Sequence, residues 1–244
     1  MPDPFLSIVI PAYNEAKRIG KTLELISYYL KIKQLSAEVI VVDDGSADHL
    51  DELLRLAGAD FPPMKIIRNE RNRGKGFSVR RGVLEARGQF VLFTDADLSA
   101  PIEEADKLLG EIERTQADAA VGSRALKKEL IGIHQSRLRE LGGRALNLLV
   151  RLSTGLKIRD TQCGLKLFRR ASTRRAFGLQ RAEGFSFDFE VLFLIERLGG
   201  KVVEVPVRWD HDAASKVRPF RDGIRFCVDL VALRWRAATG KYPL

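Results

Sequence analysis

Two carboxylates one residue apart, Asp95 and Asp97, follow directly on the apolar run Phe90-Val91-Leu92-Phe93-Thr94. That run, rich in branched and aromatic side chains, predicts a buried strand that delivers both acids to its carboxyl end. Ligands of open α/β sheets collect at that end. An Asp-x-Asp pair can hold one hard divalent cation, Mg2+ or Mn2+, which takes oxygen ligands and bridges to phosphate oxygens. On its own the pair reads better as a plain strand-to-helix turn, because Ser99-Ala100-Pro101 has the form of a helix cap and a first-turn proline.

Two more strand ends carry polar residues. The apolar stretch 5–10 stops at Pro11-Ala12-Tyr13-Asn14-Glu15, and the stretch 38–42 runs into Asp43-Asp44-Gly45-Ser46. Carboxylates gathered at neighbouring strand ends repel one another unless a cation or sugar hydroxyls lie between them. Asp43 or Asp44 can accept hydrogen bonds from a ribose or a base edge, and Tyr13 can stack on a base. Gly74-Lys75-Gly76 can bring backbone N–H groups and one ammonium to a pyrophosphate. It is not a P-loop, since Gly-x-x-x-x-Gly-Lys-Ser/Thr is absent. No Gly-x-Gly-x-x-Gly follows the first strand, which excludes the dinucleotide-binding fingerprint. Asp-Gly-Ser alone is a common turn and Gly-Lys-Gly a common helix entry, so the order of the three strand ends carries the reading.

These ends need a scaffold. Ile19, Leu23, Ile26 and Leu30 recur at helical spacing after the first strand. A second helix is expected over 47–56, a short strand over 65–67, a helix from Gly74 to about 86, the central strand over 89–94, a helix after Pro101 and a fifth strand over 118–122. Strands alternating with helices predict a mostly parallel, Rossmann-like α/β sheet flanked by helices on both faces. The second half differs. Leu138, Leu141, Ala145, Leu148 and Leu152 share a helical stripe edged by Arg137, Arg144 and Arg151. A polar block, residues 160–164, precedes Leu165-Lys166-Leu167-Phe168. An apolar helix over 191–198 and a last strand over 201–207 follow. A long helix over 217–238 places Phe220, Ile224, Cys227, Val231 and Trp235 on one face and Arg218, Arg221 and Arg225 on another. We expect one domain over 1–244, with residues 1–125 as a nucleotide-binding α/β half and 126–244 as a second half of different pattern.

The 244 residues, 45% hydrophobic and 30% charged, can bury a substantial core. The net charge of +9 suggests an anionic partner: nucleic acid, an anionic membrane or a phosphorylated substrate. A nucleic-acid module would centre on basic and aromatic residues, whereas three acidic clusters sit at the strand ends here, so no nucleic acid is expected. Two cysteines, Cys163 and Cys227, make neither a disulfide framework nor a zinc quartet and predict small, semi-buried thiols in a reducing, cytoplasmic setting. No signal peptide and no bilayer-spanning run are apparent.

Ser7-Ile8-Val9-Ile10-Pro11-Ala12-Tyr13-Asn14-Glu15, Val41-Val42-Asp43-Asp44-Gly45-Ser46 and Asp95-Ala96-Asp97 resemble the family 2 glycosyltransferases of GT-A fold. Gly122-Ser123-Arg124, the block from Arg159-Asp160-Thr161-Gln162-Cys163-Gly164 to Phe168, Phe187-Asp188-Phe189-Glu190, Ser215-Lys216 and Pro219-Phe220 resemble the dolichyl-phosphate β-glucosyltransferases among polyprenyl-phosphate glycosyltransferases. The likeness runs from Ser7 to the terminal helix. It implies that Pro11, Ala12, Tyr13, Glu15, Asp43, Asp44 and Lys75 line the nucleotide sugar together with Asp95, Ala96 and Asp97. Asp95 and Asp97 would hold the metal and the donor diphosphate. Lys216 would close over the donor phosphates, so that Asp95, Asp97 and Lys216 form the catalytic set. Arg124, Arg139, Asp160, Gln162 and Asp188 would face the acceptor phosphate. Mannosyl-transferring relatives often carry Gln where this chain has Ser99 and Ser where it has Gly143, which favours glucose over mannose.

The implied activity is inverting transfer of a hexose, glucose from UDP-glucose, onto a polyprenyl or dolichyl phosphate. The alternatives are transfer from GDP-mannose and transfer to a saccharide hydroxyl; the arginines after residue 124 argue against a neutral acceptor. A nucleotidyltransferase would need a glycine-rich basic loop where residues 11–15 stand. A phosphate acceptor is largely a dianion at neutral pH, because its second pKa is about 6, so no general base is required. A polyprenyl tail also demands a bilayer. The expected location is peripheral, on the cytosolic face of a membrane. Either the arginine-edged amphipathic helices bind an anionic surface directly, or a membrane-anchoring partner supplies the attachment.

Overall fold

In a computed structural model that describes residues 3–56, 63–132, 137–210 and 219–243, the chain is built around a seven-stranded sheet. The strands are β1 (Leu6–Ala12), β2 (Ala37–Asp43), β3 (Met64–Arg68), β4 (Phe90–Thr94), β5 (Ala119–Ser123), β6 (Leu165–Arg169) and β7 (Val202–Pro206). Their order is β3-β2-β1-β4-β6-β5-β7. All run parallel except β6, which lies antiparallel between β4 and β5. The α/β expectation therefore holds, with one reversed strand that the sequence reading did not assign.

Eight helices cover the sheet among the described residues: α1 (Ala16–Lys33), α2 (Leu50–Leu56), α3 (Lys75–Glu85), α4 (Ala105–Thr115), α5 (Arg137–Thr154), α6 (Arg170–Leu179), α7 (Phe187–Arg197) and α8 (Pro219–Ala238). Side chains alternate across each strand. Ile8 and Ile10 therefore join Ile19, Leu23, Ile26 and Leu30 of α1 on one face. Val9 joins Val79, Val83, Phe93, Phe187 and Val191 on the other. The four apolar positions foreseen for α1 are all buried.

Helix α2 starts at Leu50 rather than at 47, because the preceding residues cap something else. Asp48 Oδ2 accepts the Ala16 N–H at the start of α1 (2.8 Å), and His49 turns left-handed at φ 58°. The two long amphipathic helices leave large apolar side chains outside the core. Among the described side chains of α5, Val150 is buried, while Leu141, Leu148 and Leu152 are exposed. On α8, Phe226, Leu230 and Leu233 are buried, whereas Ile224, Cys227, Val231 and Trp235 face outward. Among the described side chains, Leu141, Ala145, Leu148 and Leu152 of α5 and Ile224, Cys227, Val231 and Trp235 of α8 thus form outer faces, Leu138 and Phe220 lie outside the described side chains, and Cys227 is exposed rather than semi-buried. Helices α5 and α8 pack against one another. No helix among the described residues is long and apolar enough to cross a membrane.

Candidate active site

The end of β4 is held rigidly. Leu98 N donates to Asp95 O (3.2 Å), and Leu98 adopts φ 48°, which closes a tight turn. Ser99 N donates to Asp97 Oδ1 (3.0 Å). From α1, Thr22 Oγ1 donates to Ala96 O (2.6 Å). Ala96 is buried, while Asp95 and Asp97 are half-buried. Burial and the neighbouring Asp95 push the Asp97 carboxyl above the ordinary aspartate range. A bound cation would relieve that cost.

Opposite Asp95 stands Lys75, the first residue of α3, with Nζ 2.7 Å from Asp95 Oδ1. Burial works against the Lys75 ammonium, but Asp95, then Asp188 and Asp97, outweigh it and keep it charged. Its place is set by Asp44 at the end of β2. Asp44 Oδ1 accepts from Asn69 Nδ2 (2.7 Å) and Arg73 N (2.9 Å), and Oδ2 accepts from Gly74 N (2.8 Å). Gly74 has φ 106°, and a Cβ there would meet Glu183 O at 2.5 Å, so only glycine fits at this helix entry.

The buried Asp44 carboxylate is therefore engaged in holding the loop before α3, not displayed toward a base edge as expected. Asp43 is fully buried as well. Its Oδ1 accepts from Ser46 N (2.8 Å), and its Oδ2 faces Arg68 Nη1 at 3.2 Å without an aligned hydrogen bond. Asn14 stitches the ends of β1 and β2 together: its N donates to Ser46 Oγ (2.9 Å), and its Oδ1 accepts from Ala47 N (2.9 Å). Beside that stitch, Pro11 is half-buried, Ala12 is buried and Tyr13 is exposed. Glu15 is ion-paired with Arg18 (2.6 Å).

The reversed strand closes the other side. Gly164, just before β6, lies so near Asp95 that a Cβ on it would fall 2.0 Å from Asp95 Oδ2. Lys166 of β6 is fully buried; its ammonium bonds Asp188 Oδ1 and donates to Cys163 O (2.6 Å). Asp188 is thus an internal partner of a lysine rather than a surface acceptor contact, and burial pushes its carboxyl up against the pull of Lys166 and Lys75. Cys163 is buried, and its thiol is pushed up to about 11 by burial and by Asp160, which leaves it inert near neutrality.

Arg124, just past β5, grips Asp160. Asp160 Oδ2 accepts from Arg124 N (3.0 Å) and Nε (2.7 Å), and Oδ1 accepts from Nη2 (2.7 Å). Burial opposes the charge on both partners, and their mutual attraction outweighs it, so Arg124 stays charged and the Asp160 carboxyl is held low. The guanidinium also stands 5.1 Å from the Trp209 ring and feels the Asp95 carboxylate. Gln162 is half-buried on the same loop. Arg139 lies in the first turn of α5, with its side chain outside the described residues, as is Lys216.

The structure thus brings Lys75, Asp95, Asp97, Arg124, Asp160 and Gly164 together. Nothing in the spacing or type of Gly164, Lys166, Asn69 or Asn14 singles out these contacts in the sequence, with one exception. Lys166 left a readable trace, a lone cation inside the apolar run 165–168.

A divalent ion fits this donor set. Asp95 and Asp97 are hard oxygen donors, and the Lys75 ammonium already marks the spot as one that accepts a cation. Among the described residues no cluster of three or more His, Cys, Asp or Glu side chains could hold a metal. Two carboxylates leave open positions for phosphate oxygens and water, as suits Mg2+ or Mn2+ carrying a diphosphate.

A parallel sheet with one reversed strand, and an acid pair at the end of its central strand, defines a glycosyltransferase of GT-A fold. Glucosyl-3-phosphoglycerate synthase from Mycobacterium tuberculosis superposes with a TM-score of 0.68 at 20% identity, over 94% of this chain and 80% of that one. The same enzyme in complex with Mn2+, uridine-diphosphate and glucosyl-3-phosphoglycerate gives 0.65 at 21% identity, over 94% and 78%. Residues 7–177 match Glycosyl transferase family 2. The dolichyl-phosphate beta-glucosyltransferase of Saccharomyces cerevisiae is 36% identical over 98% of this chain and 76% of its own length. The human protein of that name is 34% identical over 100% and 79%. This chain belongs to glycosyl transferase family 2.

Proposed function

We propose that this protein transfers glucose from UDP-glucose to a polyprenyl phosphate of the dolichyl type, inverting the anomeric carbon. The observation that carries the reading is the Arg124–Asp160 pair beside Asp95, built on the block 159–168. A fixed, charged guanidinium next to the donor carboxylates suits a phosphate acceptor, and relatives named for dolichyl phosphate match over nearly the whole chain.

Asp95 and Asp97 would hold Mg2+ or Mn2+, which supplies Lewis-acid neutralisation of the leaving diphosphate. Lys75 adds a second positive charge beside Asp95. Lys216 is proposed to add another from the segment before α8. Pro11, Tyr13 and Glu15 line the base, with the Asp43 and Asp44 turn as their support. Arg124, with Arg139, orients an acceptor phosphate oxygen toward the anomeric carbon. That oxygen forms the new bond to carbon as the carbon–oxygen bond to the diphosphate breaks and its electron pair leaves with UDP. The attacking dianion has no proton to lose, so Asp160 and Asp188 are free to serve as structural anchors. Residues 1–125 would act as the donor half and 126–244 as the acceptor half of one domain.

The acceptor's tail places the reaction at a bilayer. Exposed Leu141, Leu148, Leu149 and Leu152 on α5, with Ile224, Val228, Val231 and Trp235 on α8, give two packed helices an outward apolar face. Arg144, Arg151 and Arg225, all exposed, flank it, a pattern suited to an anionic surface on the cytosolic side. The test is incubation with radiolabelled UDP-glucose, GDP-mannose or UDP-N-acetylglucosamine and a polyprenyl phosphate, followed by lipid extraction. Label in lipid from UDP-glucose alone is the expected result. Label from GDP-mannose, or none from any donor, overturns the assignment.

A further inference from the structure

Asn147 of α5 directs its whole side-chain amide at one target. Nδ2 donates to the carbonyls of Ile158 (3.2 Å) and Arg159 (2.6 Å). Oδ1 accepts from Thr161 N (3.3 Å) and Thr161 Oγ1 (2.9 Å). The amide can face only one way, since turning it over would set its oxygen against two carbonyls. Asparagine is a poor residue for a helix interior, so local helix propensity does not account for it.

The segment it grips, residues 158–161, is the one that carries Asp160, the bidentate partner of Arg124. Glu204 of β7 holds the same segment from the other side, accepting from Arg159 N (3.0 Å) and Asp160 N (2.8 Å). Three residues on, Gly164 lies against Asp95. A continuous strap thus runs from α5 through 158–161 to the acid pair. The outer side of α5 bears exposed Leu141, Leu148 and Leu152, while Val150 is buried on the inner side.

We propose that Asn147 is a positioning residue: it ties the outward-facing helix α5 to the Arg124–Asp160 pair, so that the seating of α5 sets the guanidinium used on the acceptor phosphate. This rests on the acceptor reading given above. The nucleotide side of the donor site is held separately, because Asn14 is fixed by Ser46 and Ala47, and Asp44 by Asn69 and the loop before α3, so the larger effect falls on the acceptor.

The test compares wild type, Asn147→Ala and Thr161→Val. Each is assayed with UDP-glucose and a polyprenyl phosphate in anionic vesicles, with amide deuterium exchange followed across residues 158–161. Losing the amide is expected to raise the acceptor KM about 10-fold while leaving the donor KM within about twofold, and to speed exchange at 158–161. Thr161→Val, which deletes a single hydroxyl, should shift both readouts the same way by less, and it carries the test if Asn147→Ala does not fold. A purely structural asparagine would lower the melting temperature without separating the two KM values. Equal changes in both KM values, or unchanged exchange, overturn the proposal while wild-type transfer stands. If wild type itself transfers nothing to a polyprenyl phosphate, the acceptor reading falls and this inference falls with it.

Discussion

Lys75 Nζ stands 2.7 Å from Asp95 Oδ1, so an ammonium occupies the flank of the acid pair. It sits 5.2 Å from the Phe93 ring and 5.8 Å from the Phe185 ring, among groups that leave it little other solvation. The helix start that delivers it is fixed by Asp44, so the end of β2 controls the charge balance at the end of β4. Lys75 and a divalent cation then share one task, the neutralisation of Asp95 and Asp97.

That sharing predicts the behaviour of Lys75→Met. Removing the ammonium leaves the half-buried carboxylates facing each other and should destabilise the metal-free protein by roughly 1–3 kcal/mol. Mn2+ should restore more stability to the variant than it adds to wild type. Thermal melts with and without Mn2+ decide it; an equal metal increment in both proteins counts against the shared role.

Asp97→Asn acts in the opposite sense. Asp97 is held above the ordinary range by burial and by Asp95, so a neutral amide there should raise the melting temperature in EDTA. The same change should remove Mn2+-induced stabilisation and abolish transfer. A variant that still responds to Mn2+, or wild type that works fully in EDTA, would place the metal elsewhere.

Gly164→Ala tests the approach of β6 to β4. The added carbon would stand 2.0 Å from Asp95 Oδ2, and the position has no left-handed backbone to relieve, so the whole effect is steric. Displacing Asp95 by even an ångström should cost about 100-fold in rate. Circular dichroism should remain that of wild type while Mn2+ affinity, read by electron paramagnetic resonance, falls. Wild-type affinity and rate would show that Asp95 does not need this contact.

The strand ends were legible because an apolar run stopped by carboxylates has only one comfortable place in a parallel sheet. Strand β6 was not, because buried Lys166 breaks its apolar run, and its charged partner, Asp188, lies 22 residues further on. Asp43 and Asp44 looked interchangeable as ligands; that Asp44 would turn to Arg73 and Gly74 depends on a loop 30 residues away. The faces of α5 and α8 could not be told apart by periodicity, since both sides of α8 are apolar. Phe226, Leu230 and Leu233 fill one side and Ile224, Val231 and Trp235 the other, and only packing decides which is covered.

Glu104 makes a pH-dependent contribution to stability. Its buried carboxylate accepts from Lys107 Nζ (2.6 Å), Arg208 Nε (2.8 Å) and Arg208 N (3.1 Å), which joins the start of α4 to the chain after β7. Burial pushes its carboxyl up, but Lys107 and Arg208 together pull it below the ordinary value. A lowered folded-state value stabilises above the unfolded value of about 4.3 and is lost as pH falls through the folded one. Glu104→Gln should therefore melt lower than wild type near neutrality and show a flatter acid limb. Parallel melting curves from pH 7 down to the acid limb would rule out this contribution.

The outer faces of α5 and α8 should dock on an anionic bilayer. Leu148 is 51% exposed, Leu152 76% and Trp235 53%, on two helices that pack together. Large apolar groups left in water gain about 25 cal/mol per Å2 when covered, and each arginine near an anionic surface adds about 1 kcal/mol. Together these give reversible association, expected to be strong on anionic vesicles, weak on neutral ones and reduced by salt as the Debye length shrinks below about 8 Å. Two sets of variants separate the contributions. Replacing Arg144, Arg151 and Arg225 by Gln should remove the salt dependence, and Leu148→Glu with Leu152→Glu should abolish sedimentation with vesicles at every salt concentration. Because these side chains are exposed, the melting temperature should change little, which distinguishes loss of docking from loss of fold. Binding that survives both sets would put the attachment on another surface. No binding by wild type would assign it to a separate anchoring partner.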